Sequence, residues 1–354
     1  MKNIAIVVGA RPNFMKVAPF LRILKKNTSF KSTLIHTGQH YDDRMSNVFF
    51  KELDIPSPEY NLNIRSGSHA NQTAEIMISF EKVCNKINPD LVIVVGDVNS
   101  TMACSIVAKK LQIKLAHIEA GLRSNDKNMP EEINRIITDS ISDYFFITEE
   151  SGKENLLKEG HNNNIFFIGN LMIDSLHYGL RKIESKERYF KKEYGLITLH
   201  RPSNVDNIKK FKSILGALSD ISNEIELFFS VHPRTNNIIK KNKITLNKNI
   251  NILNPLPYLT FLHLMRDSKV IFTDSGGIQE ESTVLKIPCY TLRDNTERPI
   301  TLEQGTNHLV GTDKENILSI FRKNQYSINP NYKLPYRWDG LASDRIIKTL
   351  EDIL

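Results

Sequence analysis

A glycine-rich turn at Ser275, Gly276 and Gly277 has residue types that suit anion binding. It follows the apolar run 270–273, which predicts a strand, and it precedes a helical pattern, so it lies where a helix begins. Glycines let backbone N–H groups approach a phosphate, and the first helical turn leaves such donors unpaired. Glu281 lies about one turn further along, within reach of a sugar attached to that phosphate. A plain turn between strand and helix, with no ligand, is the alternative.

Carboxylates stand at other points where apolar runs end. Asp97 comes shortly after the run 91–95, Glu119 comes directly after the run 114–118, and Glu131 opens the helical pattern that follows. Clustered carboxylates raise one another's pKa, which is typical of acid–base chemistry. For a carboxylate at the start of a helix, complementing the helix dipole is the alternative role.

Cations and histidines also lie where apolar runs end. Arg11 and Lys16 flank the turn after the first apolar run, where both could contact one anion. His200, Arg201 and His232 follow apolar runs in the second half of the chain. Solvated side chains and satisfied polar residues are the alternatives. The histidines lack the spacing of a zinc pair, and the chain has no dinucleotide fingerprint, Walker A motif or nucleophile elbow, so we expect neither a metal nor a cofactor.

The elements that must position these residues alternate between apolar runs and helical patterns. This β-α-β-α order predicts parallel, doubly wound sheets of the α/β class. The predicted strands lie at 4–8, 32–36, 91–95, 114–118, 144–148 and 165–168, and then at 195–198, 226–230, 250–253, 270–273 and 288–291. The pattern restarts near residue 170, which predicts two Rossmann-like domains facing a central cleft at the carboxyl ends of their strands.

Composition limits the remaining classes. The chain has 354 residues, 40% of them hydrophobic, which is enough for two cores. Its net charge of +7 comes from scattered lysine pairs without a basic stripe, so we expect no nucleic acid partner. The 3 cysteines lie in apolar surroundings, which indicates a reducing compartment. No apolar run approaches the ~20 residues of a membrane span, so the sequence predicts a cytoplasmic protein without a membrane partner.

Across almost its whole length the sequence resembles the non-hydrolysing UDP-N-acetylglucosamine 2-epimerases. The matching stretches occur in the expected order: VGARPNFMK, HTGQHYD, GDVNST, HIEAGLRS, MPEEINR, GNLMIDSL, LHRPSNVDN, DSGGIQEES and RDNTERP. The resemblance implies a GT-B type fold in which the last helix returns to the first domain. The predicted domains are therefore 1–170 together with the returning helix 343–354, and a UDP-binding domain at 171–342.

The resemblance also implies an isomerase that interconverts UDP-N-acetylglucosamine and UDP-N-acetylmannosamine by eliminating and re-adding UDP. By motif position, the catalytic candidates are Asp97, Glu119, Glu131 and His200. The substrate-binding candidates are Arg11, Lys16, Arg201, His232, Phe261, Ser275, Gly276, Gly277 and Glu281. Phe261 corresponds to the residue that packs on uracil. Gln39 and His40 correspond to an allosteric site for a second substrate molecule, and a homodimer supplying surface polysaccharide precursors is implied.

The sequence leaves open which carboxylate removes the C2 proton, with Asp97 and Glu131 the candidates closest to C2 and Glu119 supporting. Two other activities also fit the motifs. A GT-B glycosyltransferase would share the domains, the diphosphate turn and the ribose carboxylate. An epimerase acting on a related UDP-diacetamido sugar would share the chemistry as well.

Overall fold

A computed structural model describes residues 1–38, 48, 50–65 and 67–354, apart from the side chain of Arg11. The chain divides into two compact units. The first comprises Met1–Tyr178 with Tyr336–Leu354, and the second comprises Gly179–Pro335. In the described part of the chain, no helix has the length and apolar character needed to cross a membrane.

The first unit is built on a parallel seven-stranded sheet in the order β3-β2-β1-β4-β5-β6-β7. Its strands are β1 (Lys2–Val8), β2 (Phe30–His36), β3 (Tyr60–Asn61), β4 (Leu91–Val95), β5 (Lys114–Ile118), β6 (Tyr144–Ile147) and β7 (Ile165–Phe167). Its helices are α1 (Arg11–Leu24), α2 (His69–Ile87), α3 (Asn99–Lys110), α4 (Pro130–Ile141), α5 (Glu150–Lys158), the start of α6 (Leu171–Ile183) and the C-terminal α14 (Ala342–Ile353).

The second unit has a parallel six-stranded sheet in the order β10-β9-β8-β11-β12-β13. Its strands are β8 (Tyr194–Thr198), β9 (Glu226–Ser230), β10 (Ile250–Leu253), β11 (Val270–Thr273), β12 (Cys289–Thr291) and β13 (Asn307–Leu309). Its helices after α6 are α7 (Pro202–Val205), α8 (Ile208–Ile221), α9 (Pro233–Lys241), α10 (Tyr258–Arg266), α11 (Gly276–Leu285), α12 (Pro299–Glu303) and α13 (Lys314–Asn324).

Both strand orders follow the Rossmann pattern, in which the chain builds outward from a first strand and then crosses to that strand's other side. The predicted class of two Rossmann-like α/β domains is confirmed. The order reverses between β1 and β4 in the first sheet and between β8 and β11 in the second. At such a switch point the two following loops leave in opposite directions, which opens a crevice at the carboxyl ends of the strands.

The central strands are continuous apolar runs because they are covered on both faces. All five residues of β4 are buried. On one face of the first sheet, Val92 and Val94 pack in a core with Phe80 of α2 and Cys104 of α3. In the second sheet, Phe229 and Phe272 belong to the corresponding core. These cores fix the strand ends, and with them the loops that carry the polar residues.

Helix α6 contains the division between the units. Its first turns belong to the first unit: the Ser175 hydroxyl donates to the Met15 carbonyl, and the Asp174 carboxylate accepts the Ser343 N–H at 2.8 Å. Residues 171–178 therefore belong to the first unit, whereas the predicted boundary at residue 170 assigned them to the second domain. Likewise Tyr336 joins the first unit ahead of the predicted residue 343, because Trp338 is buried and donates to the Thr148 carbonyl.

Candidate functional site

The turn after β1 is fastened to the end of β4 by one amide side chain. Asn13 Oδ1 accepts the N–H groups of Gly9 and Ala10 at 3.3 and 3.0 Å, and Asn13 Nδ2 donates to the Val95 carbonyl at 2.9 Å. The Asn13 side chain thus fixes the loop after β1 against the end of β4. Asn13 was missed as a site residue because its bond to the Val95 carbonyl depends on how β1 and β4 align.

Lys16 and Glu119 form a buried ion pair with 2.5 Å between Lys16 Nζ and Glu119 Oε2. The structure therefore brings a predicted diphosphate contact and a predicted catalytic carboxylate together. Gly96 lies against this pair: a Cβ there would sit 3.3 Å from Lys16 Nζ and 3.2 Å from Asn13 Nδ2, and its φ of +70° favours glycine. A larger residue at position 96 would push into the pair.

The backbone at Glu119 is unusual for a residue with a side chain. Its φ of +72° lies in the left-handed region, which costs of order 1–3 kcal/mol outside glycine. The Glu119 N–H donates to the Phe146 carbonyl at 3.0 Å, so the sheet holds this conformation. At Gly121, φ is +78° and a Cβ would lie 2.1 Å from the Gly152 carbonyl oxygen. Tight packing therefore aims the Glu119 side chain toward Lys16.

Asp97 is paired with Arg135 of α4, whose guanidinium also contacts Glu132 at 2.7 Å. The Asp97 carboxyl remains one third exposed, at 33%, while the Arg135 side chain is buried. A ligand can therefore reach Asp97, while Arg135 fixes its position from behind. Arg135 was missed because its role depends on the helix face it occupies, which only the packing of α4 determines.

The neighbouring residues Glu131 and Glu132 have different environments. The Glu132 carboxylate is buried and accepts the N–H groups of Ser124 and Asn125 at 3.0 and 2.8 Å. Burial alone would raise the pKa of Glu132, but the Ser124 N–H and the Arg135 charge outweigh it and hold that pKa below its ordinary value. Glu131 is half-buried, and no described residue bonds its carboxylate. The structural carboxylate of this helix start is therefore Glu132.

At the second switch point, the buried Asp274 at the end of β11 holds the loop after β8. Its carboxylate accepts the N–H groups of His200 and Arg201 at 3.1 and 3.0 Å, and His200 Nδ1 lies 3.2 Å from Asp274 Oδ1. His200 stays half-exposed. The structure thus places His200 and Arg201 beside the turn that begins α11. Asp274 was missed as a site residue, although it directly precedes Ser275.

Arginines surround the buried carboxylate of Glu297. Arg201 Nη2 lies 3.1 Å from Glu297 Oε1, and Arg293 Nη2 lies 2.7 Å from Glu297 Oε2. Burial would raise the pKa of Glu297, but the charges of Arg201, Arg293 and Arg298 outweigh it and hold that pKa far below its usual range. A Cβ on Gly276 would lie 2.9 Å from Glu297 Oε1, so this ionised group adjoins the first residue of α11.

The start of α11 has the properties expected of an anion site. Ser275 is its N-cap residue and forms no side-chain cap, and Gly276 and Gly277 are its first helical residues. All three are half-buried. Further along the helix, the buried Glu281 accepts the Tyr258 hydroxyl at 2.9 Å. Tyr258 opens α10, which also carries the half-buried Phe261, so one hydrogen bond fixes the helices that carry the predicted ribose and uracil contacts.

His232 is the N-cap of α9, and its Nδ1 accepts the Arg234 N–H at 3.2 Å. Burial, and then the nearby charges of His200 and Arg234, lower the pKa of His232. His200 and His232 follow the adjacent paired strands β8 and β9. Gln39 and His40 lie outside the described residues, as does the Arg11 side chain. Among the residues described, no group of His, Cys, Asp and Glu is arranged to hold a metal ion.

The two sheets define a protein of two Rossmann-like domains. In each domain, charged residues lie at the carboxyl ends of the strands beside the switch point. A family profile for UDP-N-acetylglucosamine 2-epimerase matches residues 22–351. The chain belongs to the UDP-N-acetylglucosamine 2-epimerase family. The predicted family is confirmed, and so is the prediction of an epimerase rather than a glycosyltransferase.

Individual relatives agree with this assignment. The UDP-N-acetylglucosamine 2-epimerase of Methanocaldococcus jannaschii is 44% identical over 368 residues, covering 98% of each chain. A crystal structure of the epimerase from that organism, in complex with UDP-GlcNAc and UDP, superposes with a TM-score of 0.92 at 44% identity and covers 99% of each chain. The UDP-2,3-diacetamido-2,3-dideoxy-D-glucuronate 2-epimerase of Pseudomonas aeruginosa is 37% identical and covers 90% of this chain and 91% of that protein.

Proposed function

We propose that this chain interconverts UDP-N-acetylglucosamine and UDP-N-acetylmannosamine by eliminating UDP and adding it back. The observation that carries the proposal is the set of strand-end carboxylates at the first switch point, with Lys16 bonded to Glu119 and Arg135 to Asp97. Membership of the epimerase family supports it, as does the crystal structure of a relative that holds UDP-GlcNAc and UDP.

The second unit binds the nucleotide. Phosphate oxygens accept hydrogen bonds from the Ser275 hydroxyl and from the N–H groups of Gly276 and Gly277, where the helix dipole also favours negative charge. The Glu281 carboxylate bonds the ribose hydroxyls, and Phe261 packs on uracil. The support is the buried bond between Tyr258 and Glu281, which positions this carboxylate before a ligand arrives.

Cations stabilise the diphosphate as it leaves. Arg201 lies beside the start of α11 through its bonds to Asp274 and Glu297, and the half-exposed His200 is anchored on the same carboxylate of Asp274. His232, close to His200, adds a donor on the same side. In the first unit, Lys16 and Arg11 supply further positive charge. Preorganised donors of this kind stabilise developing negative charge in a transition state.

The reaction breaks the C1–O bond, whose electron pair leaves with UDP, while a carboxylate accepts the C2 proton. A C1=C2 double bond forms, giving a 2-acetamidoglucal. Return of a proton to the opposite face of C2, followed by attack of UDP at C1, gives the epimer. Asp97 and Glu131, the two more accessible carboxylates, act at C2. The buried Glu119 supports them and holds Lys16.

The product would serve as a precursor for surface polysaccharide, and the working form would be a homodimer in the cytoplasm. All three cysteines are buried free thiols, which suits a reducing compartment. Gln39 and His40 would form an allosteric site for a second substrate molecule. Size-exclusion chromatography with light scattering tests the dimer: a mass of a single chain at micromolar concentration would contradict it.

A UDP-diacetamido uronic acid is the second candidate substrate, favoured by the 37% identity to the Pseudomonas aeruginosa epimerase. Purified protein is incubated with each UDP-sugar, without an acceptor, and the sugar signals are followed by NMR. We expect UDP-N-acetylglucosamine to form a mixture with its C2 epimer at a higher kcat/KM than the diacetamido sugar. A reversed preference would move the proposal to the second substrate, and no turnover of either would overturn it.

A further inference from the structure

A buried histidine behind the first switch point bonds acceptors on both sides of its ring. His117 lies in β5 and is fully buried. Its Nδ1 is 2.6 Å from Asp139 Oδ1, and its Nε2 is 2.8 Å from the Gly96 carbonyl oxygen. A carboxylate and a carbonyl can only accept, so both ring nitrogens must carry a proton. The geometry therefore describes an imidazolium.

The charges around this ring are balanced. Asp139 of α4 is fully buried, and its Oδ2 accepts the Gly121 N–H at 3.0 Å and lies 2.7 Å from Arg123 Nη2. Arg123 also pairs with Glu159 through two bonds of 2.8 and 2.6 Å. Two cations thus face two carboxylates, which is the condition under which buried charges persist. Burial would raise the pKa of Asp139, but the His117 and Arg123 charges outweigh it and lower that pKa.

The cluster of His117, Arg123, Asp139 and Glu159 contacts the two loops that carry the proposed catalytic carboxylates Asp97 and Glu119. Gly96 directly precedes Asp97, and its carbonyl is the acceptor of His117 Nε2. Gly121 follows Glu119 by two residues, and its N–H is bonded to Asp139. None of these four residues was a site candidate from the sequence, although the stretch HIEAGLRS contains two of them, His117 and Arg123.

We propose that His117 is a positioning residue: held as an imidazolium by Asp139, it sets the Gly96–Asp97 turn relative to the Glu119 loop. This inference rests on the proposed epimerase function. His117 is fully buried and acts through the backbone of Gly96. Small displacements of reacting groups, on the order of 1 Å, can cost about a hundredfold in rate.

Two substitutions separate the bonds of the ring. In His117→Gln, the amide nitrogen reaches the position of Nε2 and keeps a donor for the Gly96 carbonyl. In His117→Asn, the amide nitrogen replaces Nδ1, which keeps a donor for Asp139 and loses the bond to Gly96. Both variants remove the ring and its charge from the same buried position, so they share the cost of repacking.

The measurement is kcat and KM for UDP-N-acetylglucosamine, with thermal unfolding of the same samples. We expect kcat of His117→Asn to fall by roughly ten- to a hundredfold, with kcat of His117→Gln several-fold higher and KM nearly unchanged in both. His263→Asn is the matched control: His263 is buried in the second unit and donates to the Glu187 carbonyl at 2.7 Å. The His263→Asn substitution should lower the unfolding temperature and leave kcat of the folded protein unchanged.

Equal kcat in the two His117 variants, despite similar losses of stability, would overturn the positioning role. Should His117→Asn fail to fold, nitrogen-15 NMR of the wild-type protein tests the charge directly. Both His117 ring nitrogens should be protonated at neutral pH, and Asp139→Asn should leave one of them unprotonated. A neutral wild-type ring would refute the inference. The NMR result stands even if wild-type protein fails to epimerise, so it is separate from the proposed function.

Discussion

The glutamates at the start of α4 show how adjacent residues of one type take different roles. Glu132 is buried on Arg135 and on backbone N–H groups of the preceding loop, whereas Glu131 is half-buried without a partner among the described residues. We therefore expect Glu131→Gln to lower kcat by roughly 10²–10⁴-fold with little change in KM or stability. A near-normal kcat would remove Glu131 from the mechanism.

Glu132→Gln is the matched comparison, and its effect should be on stability. Loss of the buried charge should lower the free energy of unfolding by about 1–3 kcal/mol at neutral pH. Because the pKa of Glu132 is lowered in the folded state, its contribution is present above the ordinary pKa and is lost as the pH falls below it. Urea unfolding should therefore show the difference from wild type shrinking below about pH 4. A difference that grows on acidification would contradict this sign.

Glu281 and Tyr258 test the nucleotide side. Glu281→Ala should weaken UDP binding by about tenfold or more, because it removes the proposed ribose acceptor and its hydrogen bond with the Tyr258 hydroxyl. Tyr258→Phe keeps the carboxylate and removes only the bond that orients it, so the loss should be smaller. Calorimetric titration with UDP measures both. Unchanged affinity in Glu281→Ala would place this carboxylate outside the ribose site.

Strand-end positions were predictable residue by residue, but their partners were not. Asp97, Glu119 and His200 follow apolar runs, and that signal is local. The pairing of Lys16 with Glu119 depends instead on how β1, β4 and β5 align, which periodicity does not show. The role of Glu297 was not predictable either, because it depends on the arginines that surround this carboxylate in the folded chain.

At the scale of elements, most strands were located from apolar runs because buried parallel strands are apolar throughout. The short strands β3 and β13 were missed: Tyr60–Asn61 is two residues long, and Asn307–Leu309 has only one apolar residue in three. Helix α1 begins at Arg11, directly after the turn that follows β1. Its first turn is polar, and it is held by Asn13 and Pro12 rather than by an apolar face.

The return of helix α14 to the first unit depends on a side-chain cap from α6. Asp174 accepts the N–H groups of Ala342 and Ser343 at 3.1 and 2.8 Å, and the Ser343 hydroxyl at 2.7 Å. Asp174→Ala should lower the free energy of unfolding by roughly 1–3 kcal/mol because it leaves these buried donors unpaired. Ser343→Ala removes one bond and should cost less. Urea unfolding compares them, and an Asp174→Ala cost below that of Ser343→Ala would contradict this capping role.

For the whole molecule, two sheets whose strand orders match over six strands each carry polar residues at their switch point. The alternation of strands and helices predicted this architecture, whereas the loops that bear the chemistry stay a prediction from the family resemblance. Asp97 follows β4, Glu119 follows β5, and Lys16 lies in the first turns of α1, whereas the loops after β8 and β11 carry His200 and the glycine turn. Binding of UDP and chemistry at C2 are accordingly assigned to different units, and they should separate in mutants.

Epimerisation through loss of the C2 proton is tested most directly by incubating UDP-N-acetylglucosamine with the protein in D2O. Proton NMR should show the UDP-N-acetylmannosamine signals appearing with deuterium at C2, and the recovered substrate should also become deuterated there. Glu131→Gln should slow this exchange, whereas Glu281→Ala should mainly raise the substrate concentration it requires. An epimer that retains its original C2 hydrogen, or no exchange in protein that binds UDP normally, would contradict the mechanism.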